Sequence, residues 1–184
     1  MRLPDFNPDW NKHYKSDDPA NLAEIDRVQS YNITIDSKVY VPGSAIESPW
    51  GDNRVIAVSN AHGQDVCIKE ITVRPGYMLS LQRHRSRNEL WQVKTGVLSL
   101  IAANQRFELK AGDAINLPPG TVHCMANLYG NPVTVIETQS GINREADNIR
   151  LMDVHGRPTY PLMNEEEYRA AQLYAQLAEE IGAR

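Results

Sequence analysis

Cysteine is scarce in this chain, and long apolar runs are absent. Only Cys67 and Cys124 occur among 184 residues, too few for the disulfide framework that stabilises small secreted domains. No apolar run is long enough to span a bilayer, and the first residues lack the apolar segment of a signal peptide. The net charge of -4 lacks the basic excess typical of nucleic-acid binding. We therefore expect a cytoplasmic protein with no nucleic-acid or membrane partner.

The residue pattern divides the chain into three segments. Residues 1–46 are predicted to form an arm with a short helix, for which Asp18 is an N-cap and Pro19 the first helical residue. Short apolar runs separated by turn residues begin near Val55 and predict an all-β barrel over residues 47–158. Residues 159–184 predict an amphipathic helix that begins at a capping box on Asn164.

Two linked motifs within the β segment carry the donor atoms of a metal site. They read Gly76-x5-Gln82-x-His84-x4-Glu89-x6-Gly96 and Gly112-x5-Pro118-x-Gly120-x2-His123-x3-Asn127. Gln82 and His84 are two residues apart on a predicted strand, so their side chains share one face. Glu89 and His123 lie on later predicted strands. In a small barrel these four side chains can converge on one interior point.

The four donors are nitrogen and oxygen atoms, with no thiolate. We expect one divalent metal bound through Gln82, His84, Glu89 and His123. Such donors suit Zn, Fe, Mn, Co or Ni. Four protein ligands leave positions for substrate oxygens, and a metal in such a site can polarise a carbonyl group. Trp91 shares the face of Glu89 and is predicted to wall the pocket and contact substrate.

Both motifs resemble those of the cupin superfamily, whose fold is a double-stranded β-helix, a jelly-roll barrel. Over about residues 47–157 the chain further resembles the cupin (isomerase) domain of type II mannose-6-phosphate isomerase/mannose-1-phosphate guanylyltransferase. The stretches that carry this resemblance are Pro49-Trp50-Gly51, Lys69 to Gly76, Leu79-Ser80-Leu81-Gln82-x-His84, Arg87-x-Glu89-x-Trp91-x-Val93, Ile136-Glu137-x-Gln139-Ser140-Gly141 and Arg150-x2-Asp153-x2-Gly156-Arg157. Nothing in the chain resembles the nucleotidyltransferase domain.

The resemblance implies an aldose–ketose isomerase of sugar phosphates that works through a cis-enediol. It implies that the four donors above hold a divalent metal, for which zinc is then the first expectation, and that Arg150 lies near the reacting sugar. It also implies that Lys69 transfers protons and that Arg87, near the rim with Arg85 and Arg144, helps to bind a substrate phosphate. Arg150, Lys69 and Arg87 each have an alternative interpretation as an ordinary surface charge.

The chain departs from the family pattern at three positions, and other functions stay open. Ser86 and Leu90 stand where the family has histidine, and His155 stands where it has tyrosine. We expect these changes to alter the pocket rim, so the substrate can differ from mannose 6-phosphate. The alternatives are a non-catalytic sugar-binding or regulatory cupin and a non-haem Fe(II) oxygenase, which would use only His84, Glu89 and His123.

A homodimer is also predicted. On an extended strand, Leu79 and Leu81 would face away from Gln82 and outside the pocket. Apolar side chains there need a cover, either from the arm and the C-terminal helix of the same chain or from a second copy. Cys124 follows His123 directly and is predicted to face the opposite way, as a packing residue.

Overall fold

A computed structural model describes residues 40–61, 64–141, 143 and 147–182. The predicted arm lies almost entirely outside these residues, as does its predicted short helix. Within them the elements follow one another in this order: β1 (Ala45–Ser48), β2 (Gly51–Ala61), β3 (Gln64–Val73), β4 (Leu81–His84), β5 (Arg87–Thr95), β6 (Val97–Ala102), β7 (Gln105–Lys110), β8 (Ala114–Leu117), β9 (His123–Ala126), β10 (Val133–Gly141), β11 (Asn148–Met152) and α1 (Glu165–Gly182).

The strands form two antiparallel sheets. The six-stranded sheet has the order β1-β2-β3-β10-β5-β8, and the five-stranded sheet has the order β11-β4-β9-β6-β7. Alternate side chains of both sheets meet in one buried cluster, in which Trp91 and Val135 of the first sheet join Leu100 and Met125 of the second. The predicted all-β jelly-roll barrel is confirmed.

Tight turns at defined positions fix the strand register. Ala103 and Asn104 join β6 to β7, and both have positive φ, of 46° and 62°, as a type I′ hairpin turn requires. Gly96 joins β5 to β6 with a φ of +82°, and a Cβ atom there would lie 2.9 Å from the carbonyl oxygen of Pro132. Gly120 links the two motifs, because its amide donates a hydrogen bond to the carbonyl of His84 at 2.6 Å.

Helix α1 covers the outer face of the five-stranded sheet. Asn164 is its N-cap, because Asn164 Oδ1 accepts a hydrogen bond from the Glu167 amide at 2.9 Å. The return bond of the predicted capping box is shifted by one residue, since Glu167 Oε2 accepts from the Met163 amide at 2.7 Å. Glu167 Oε1 also accepts a hydrogen bond from Arg83 Nε at 3.0 Å, which ties the helix to β4. The face against the sheet centres on Tyr174 and Leu177. No helix in the described part of the chain is long and apolar enough to cross a membrane.

The apolar residues behind the dimer prediction lie elsewhere than expected. Leu81 is fully buried under α1 of the same chain, in a cluster that also holds Cys124 as predicted. Leu79 packs against the cluster between the sheets and lines the central pocket. The alternation used for these residues fails because β4 begins only at Leu81, after an isolated bridge from Met78 to Ala126. The homodimer therefore stays a prediction without this support.

Two further elements differ from the expected bounds. The first strands lie earlier than Val55, as the β1–β2 hairpin, which pairs Ser48 with Gly51. Strand β11 was not predicted at all, and it returns the chain to β4 with Arg150 opposite Gln82. These strands widen both sheets, and β11 lies beside β4, which carries the predicted ligands Gln82 and His84.

Candidate metal centre

The strand register brings the predicted site residues together from both sheets. In the five-stranded sheet, β4 carries Gln82 and His84, and Gln82 is paired with His123 of β9. In the six-stranded sheet, β5 carries Glu89, which is paired with Gln139 of β10. Because the two sheets face each other, the imidazoles meet the carboxylate across the barrel interior.

His84, Glu89 and His123 form a compact buried cluster. One candidate ligand atom from each of them lies within 4.8 Å of the others. Glu89 Oε1 is 3.1 Å from His84 Nε2, and Glu89 Oε2 is 3.6 Å from His123 Nε2. All three side chains are at most 3% exposed, so these three groups would bind a cation without competition from bulk water around them.

His123 fits a metal ligand because one ring nitrogen is free to coordinate. Its Nδ1 donates a hydrogen bond to the carbonyl oxygen of Thr121 at 2.8 Å, which leaves the lone pair on Nε2. That buried Nε2 has no hydrogen-bond partner among the described residues. Burial lowers the pKa of His123, and burial together with Arg87 lowers that of His84 to about 3. Both imidazoles are therefore neutral at physiological pH, as metal ligation requires.

Arg87 lies inside the site and not at the rim. It is 4% exposed, and its Nε donates to Glu89 Oε1 at 3.1 Å, while Nη2 is 2.9 Å from His84 Nε2. Burial alone would lower the pKa of Arg87, but Glu89 and other nearby groups raise it. Arg87 faces inward because it shares a strand face with Glu89 and Trp91. Its contact with a substrate phosphate stays a prediction.

Glu89 is held by donors on both of its oxygens. Gln139 Nε2 donates to Oε1 at 3.0 Å, and Trp91 Nε1 donates to Oε2 at 3.0 Å. Burial opposes ionisation, but His84, Arg87 and His123 outweigh it and hold the pKa of Glu89 well below its ordinary value. Trp91 is 1% exposed and stacks edge-on against His123. Trp91 therefore contacts both Glu89 and His123 in the buried interior. Its contact with substrate stays a prediction.

Gln82 turns its amide nitrogen toward the cluster. Its Nε2 lies 3.5 Å from His84 Nε2. Its Oε1 points the other way, where it accepts hydrogen bonds from Ser80 Oγ at 2.9 Å and from Asn148 Nδ2 at 3.2 Å. Gln82 thus lies beside the cluster as expected, but ligation through Oε1 stays a prediction that requires the amide to rotate.

Lys69 and Glu137 form a second buried pair beside the cluster. Lys69 Nζ is 3.7 Å from Glu137 Oε2, and both residues are 5% exposed. Trp91 Nε1 and Gln139 Nε2 donate to the two oxygens of Glu137, at 3.1 and 2.7 Å. Burial and the nearby Glu89 raise the pKa of Glu137 to about 7. Glu137 and Gln139 had been assigned no role, although both lie on the inward face that Val133 and Val135 begin.

A pocket of about 200 Å³ opens directly on these groups. Arg150 lies there, with its Nε 3.3 Å from Ser80 Oγ, and so does Arg157, which forms an ion pair with the buried Asp153 at 2.6 Å. The polar lining consists chiefly of Lys69, Gln82, Glu89, Glu137, Arg150 and Arg157. A groove of about 600 Å³ that includes Arg74 shares Ser48 and Asn53 with it. One pocket therefore joins two of the predicted ligands, Gln82 and Glu89, to the predicted catalytic residues Lys69 and Arg150, whereas His84 and His123 lie behind its lining.

Two of the three departures from the family pattern lie away from this pocket. Leu90 is 41% exposed, because it alternates with the inward-facing Glu89 and Trp91. His155 donates from Nε2 to the carbonyl of Met78 at 2.9 Å, outside the barrel interior. Ser86 is held by Asp147, which accepts a hydrogen bond from its amide at 2.9 Å. The expected change of the pocket rim is thus not seen at Leu90 or His155. Arg144 lies outside the described residues.

Two facing antiparallel sheets with this inward cluster define the chain as a cupin. More narrowly, the chain belongs to the family described as "Mannose-6-phosphate isomerase C-terminal", whose family model matches residues 32–153.

The chain is similar to parts of longer curated proteins and to a shorter solved structure. Alginate biosynthesis protein AlgA of Pseudomonas aeruginosa is 36% identical over 116 residues, which are 62% of this chain and 23% of that protein. Xanthan biosynthesis protein XanB of Xanthomonas campestris is 30% identical over 151 residues, 78% of this chain and 31% of that protein. The chain therefore spans less than a third of the length of these relatives. An RmlC-like cupin from Shewanella frigidimarina gives a TM-score of 0.48 at 17% identity, over 56% of this chain and 86% of that chain.

Proposed function

We propose that this chain is a metal-dependent aldose–ketose isomerase of sugar phosphates, similar to mannose-6-phosphate isomerase, working through a cis-enediol. The observation that carries the proposal is the buried cluster of His84, Glu89 and His123, whose Glu89 lines a pocket together with Lys69 and Arg150. Membership of the mannose-6-phosphate isomerase C-terminal family supports this reaction class. The names of AlgA and XanB, as alginate and xanthan biosynthesis proteins, support a place in carbohydrate metabolism.

A divalent cation, for which Zn²⁺ is our first choice, would be held by His84, Glu89, His123 and, after rotation of its amide, Gln82. When bound, it would supply Lewis-acid polarisation of the carbonyl and hydroxyl oxygens of the sugar. The neutral imidazoles and the ionised Glu89 are the protonation states that such a site needs. Arg87 already donates a hydrogen bond to Glu89 Oε1, so the cation would bind a carboxylate whose negative charge is partly neutralised.

Lys69 is our candidate for moving the proton between C1 and C2 of the sugar. Its ammonium group lines the pocket and is almost fully removed from water. The contact with Glu137 gives the ammonium group a neighbour that can take its proton near neutral pH, because the pKa of Glu137 is raised to about 7 by burial and by Glu89. The neutral amine left behind would accept the proton from C2 and return it to C1. A side chain exchanges protons most efficiently when its pKa lies near the working pH, as that of Glu137 does.

Arg150 is our candidate for stabilising the negative charge of the enediolate. Ser80 Oγ and the carbonyl of Pro158 accept hydrogen bonds from its Nε and Nη1, each at 3.3 Å. These contacts hold the guanidinium at the pocket wall next to Gln82. A fixed positive group stabilises developing charge without having to reorient during the reaction.

The test is a screen of aldose phosphates with detection of the ketose product. Metal-loaded protein should form ketose, and chelator-treated protein should not. His123→Ala should abolish the activity, whereas His155→Ala should keep it, because His155 bonds to Met78 outside the site. Equal activity of the two variants, or activity that survives complete metal removal, would contradict the proposal.

One observation favours a second candidate. With its amide nitrogen toward His84, Gln82 is no ligand, and His84, Glu89 and His123 then form the two-histidine, one-carboxylate triad of non-haem Fe(II) oxygenases. Metal analysis separates the two, because Fe content with O₂ consumption supports the oxygenase and Zn content with ketose formation supports the isomerase.

A further inference from the structure

The side-chain amide of Gln82 is hydrogen-bonded to a second side-chain amide on the neighbouring strand. Gln82 lies on β4 and Asn148 on β11, and the register pairs Asn148 with His84. Asn148 Nδ2 donates to Gln82 Oε1 at 3.2 Å, and Ser80 Oγ donates to the same oxygen at 2.9 Å. These two donors keep the oxygen of Gln82 away from the candidate metal ligands and leave its nitrogen next to His84.

An amide ligates a hard or borderline cation through its oxygen, because the amide nitrogen is a donor without a free lone pair. Gln82 can become a ligand only if its terminal amide turns by about half a revolution, which exchanges Oε1 and Nε2. Both present donors to Oε1 would then face a donor, and a buried pair of opposed donors is unfavourable. Ligation therefore depends on whether the partners of Gln82 can accept as well as donate.

Both partners can reverse their roles. Asn148 Oδ1 is buried and has no hydrogen-bond partner among the described residues, so a half-turn of its amide would present this oxygen to Gln82 Nε2. The Ser80 hydroxyl can accept as well as donate, and it already accepts a hydrogen bond from Arg150 Nε at 3.3 Å. The two hydrogen bonds of Gln82 thus survive in the opposite direction.

We propose that Asn148 is a positioning residue whose side-chain amide decides whether Gln82 presents oxygen or nitrogen to His84, Glu89 and His123. The inference rests on the metal site of the proposed function. It adds Asn148, whose described hydrogen bond is to Gln82 and not to His84, Glu89 or His123. With Asn148 as donor, the site has three protein ligands. With Asn148 as acceptor, it has four.

The test uses two substitutions at position 148 with opposite expected effects. Asn148→Asp offers only acceptors when ionised, so Gln82 Nε2 should donate to it and Oε1 should face the metal. Zn²⁺ affinity should rise by about tenfold or more, the scale of second-shell effects on metal binding. Asn148→Leu takes away the acceptor that the ligating orientation needs and leaves a buried N–H of Gln82 without a partner, so it should weaken Zn²⁺ binding. A purely structural role would weaken binding in both variants.

Asn53→Asp is the matched control for added charge. Asn53 lines the same pocket from β2, and no hydrogen bond joins it to Gln82 among those described. Charge alone should raise the affinity by less than about fivefold, as for one partly screened charge pair. Each variant is repeated in a Gln82→Ala background, where Asn148→Asp should have the same effect as Asn53→Asp. The dissociation constants are measured by competition with a chromophoric chelator.

The results separate this inference from the proposed function. If wild-type protein binds Zn²⁺ and Asn148→Asp gains no more than Asn53→Asp, or keeps its gain without Gln82, the role of Asn148 is overturned while the metal site stands. If wild-type protein binds none of the divalent metals Zn²⁺, Fe²⁺, Mn²⁺, Co²⁺ or Ni²⁺, the metal site and the role of Asn148 are overturned together. Melting temperatures of the metal-free variants establish that each is folded.

Discussion

Replacing Lys69 by methionine should destabilise the protein in a pH-dependent way. Lys69 is 5% exposed and lies 3.7 Å from Glu137, so Lys69→Met keeps most of the buried stem and removes only the charge. A Glu137 that loses this partner can take up a proton instead of staying ionised, so the added cost is about 1.4 kcal/mol for each pH unit above its wild-type pKa of about 7. For a chain of this length, about 1.4 kcal/mol corresponds to a fall in melting temperature of about 3–6 °C.

The cost should depend on the protonation of Glu137. Burial and Glu89 raise the pKa of Glu137 to about 7 from an ordinary value of 4.5, and loss of Lys69 would raise it further. Because the folded state then binds the proton more tightly than the unfolded state, stability falls as the pH rises. At pH 8, about one unit above the wild-type pKa, the added cost should reach about 1.4 kcal/mol. At pH 6 Glu137 is mostly protonated in both proteins, and the added cost should be a small fraction of that.

The assay is thermal unfolding at pH 6 and pH 8 in the presence of a chelator, with Lys94→Met as the control. Lys94 forms an ion pair with Glu70 at 2.6 Å on a strand surface, where its side chain is 55% exposed. Such a pair contributes about 1 kcal/mol or less. An equal fall at both pH values, or a fall no larger than that of Lys94→Met, would refute the reasoning.

Three other expectations concern the site and its surroundings. His123→Ala should lower Zn²⁺ content sharply and abolish the rise in melting temperature that Zn²⁺ produces; unchanged metal content in the purified variant would count against His123 as a ligand. Arg150→Gln should reduce ketose formation by about a hundredfold or more, and activity near that of wild type would remove Arg150 from the reaction. Burial raises the pKa of Asp147 from 3.8 to about 6, so the folded wild type loses stability as the pH rises through that interval. Asp147→Asn should therefore gain melting temperature relative to wild type between about pH 4 and about pH 6 and keep that gain above pH 6. A gain that is the same at pH 4 and pH 7 would argue against the raised pKa.

The convergence of His84, Glu89 and His123 could be predicted because it follows from local rules. A strand places every second side chain on one face. The turn at Gly96 joins two strands directly, and the Gly120 amide bonds to the His84 carbonyl, so the two motifs lie side by side. The inward position of Arg87 follows from the same alternation, but the prediction began the strand at Glu89, whereas β5 begins at Arg87. The rule failed at Leu79 because residues 78–80 precede the strand.

The remaining site residues depend on contacts between distant segments. Glu137 and Gln139 follow Val133 and Val135 on one strand face, so the sequence did carry a signal for their burial. The predicted metal ligand that they lie beside, Glu89, is set by the pairing of β10 with β5. No local sequence pattern determines that pairing. Asn148 was beyond reach for the same reason, since β11 pairs with β4 after about sixty intervening residues. Such long-range register is set by packing of the whole barrel.

The central claim is that this pocket moves a proton between C1 and C2 of an aldose phosphate when a metal is bound. The most direct measurement is deuterium exchange at C2 of mannose 6-phosphate and related aldose phosphates in D₂O, followed by proton NMR. Metal-loaded protein should catalyse the exchange, and chelator-treated protein should not. If metal-loaded protein exchanges no aldose phosphate while calorimetry still detects sugar binding, the isomerase proposal is contradicted and the chain is a sugar-binding module.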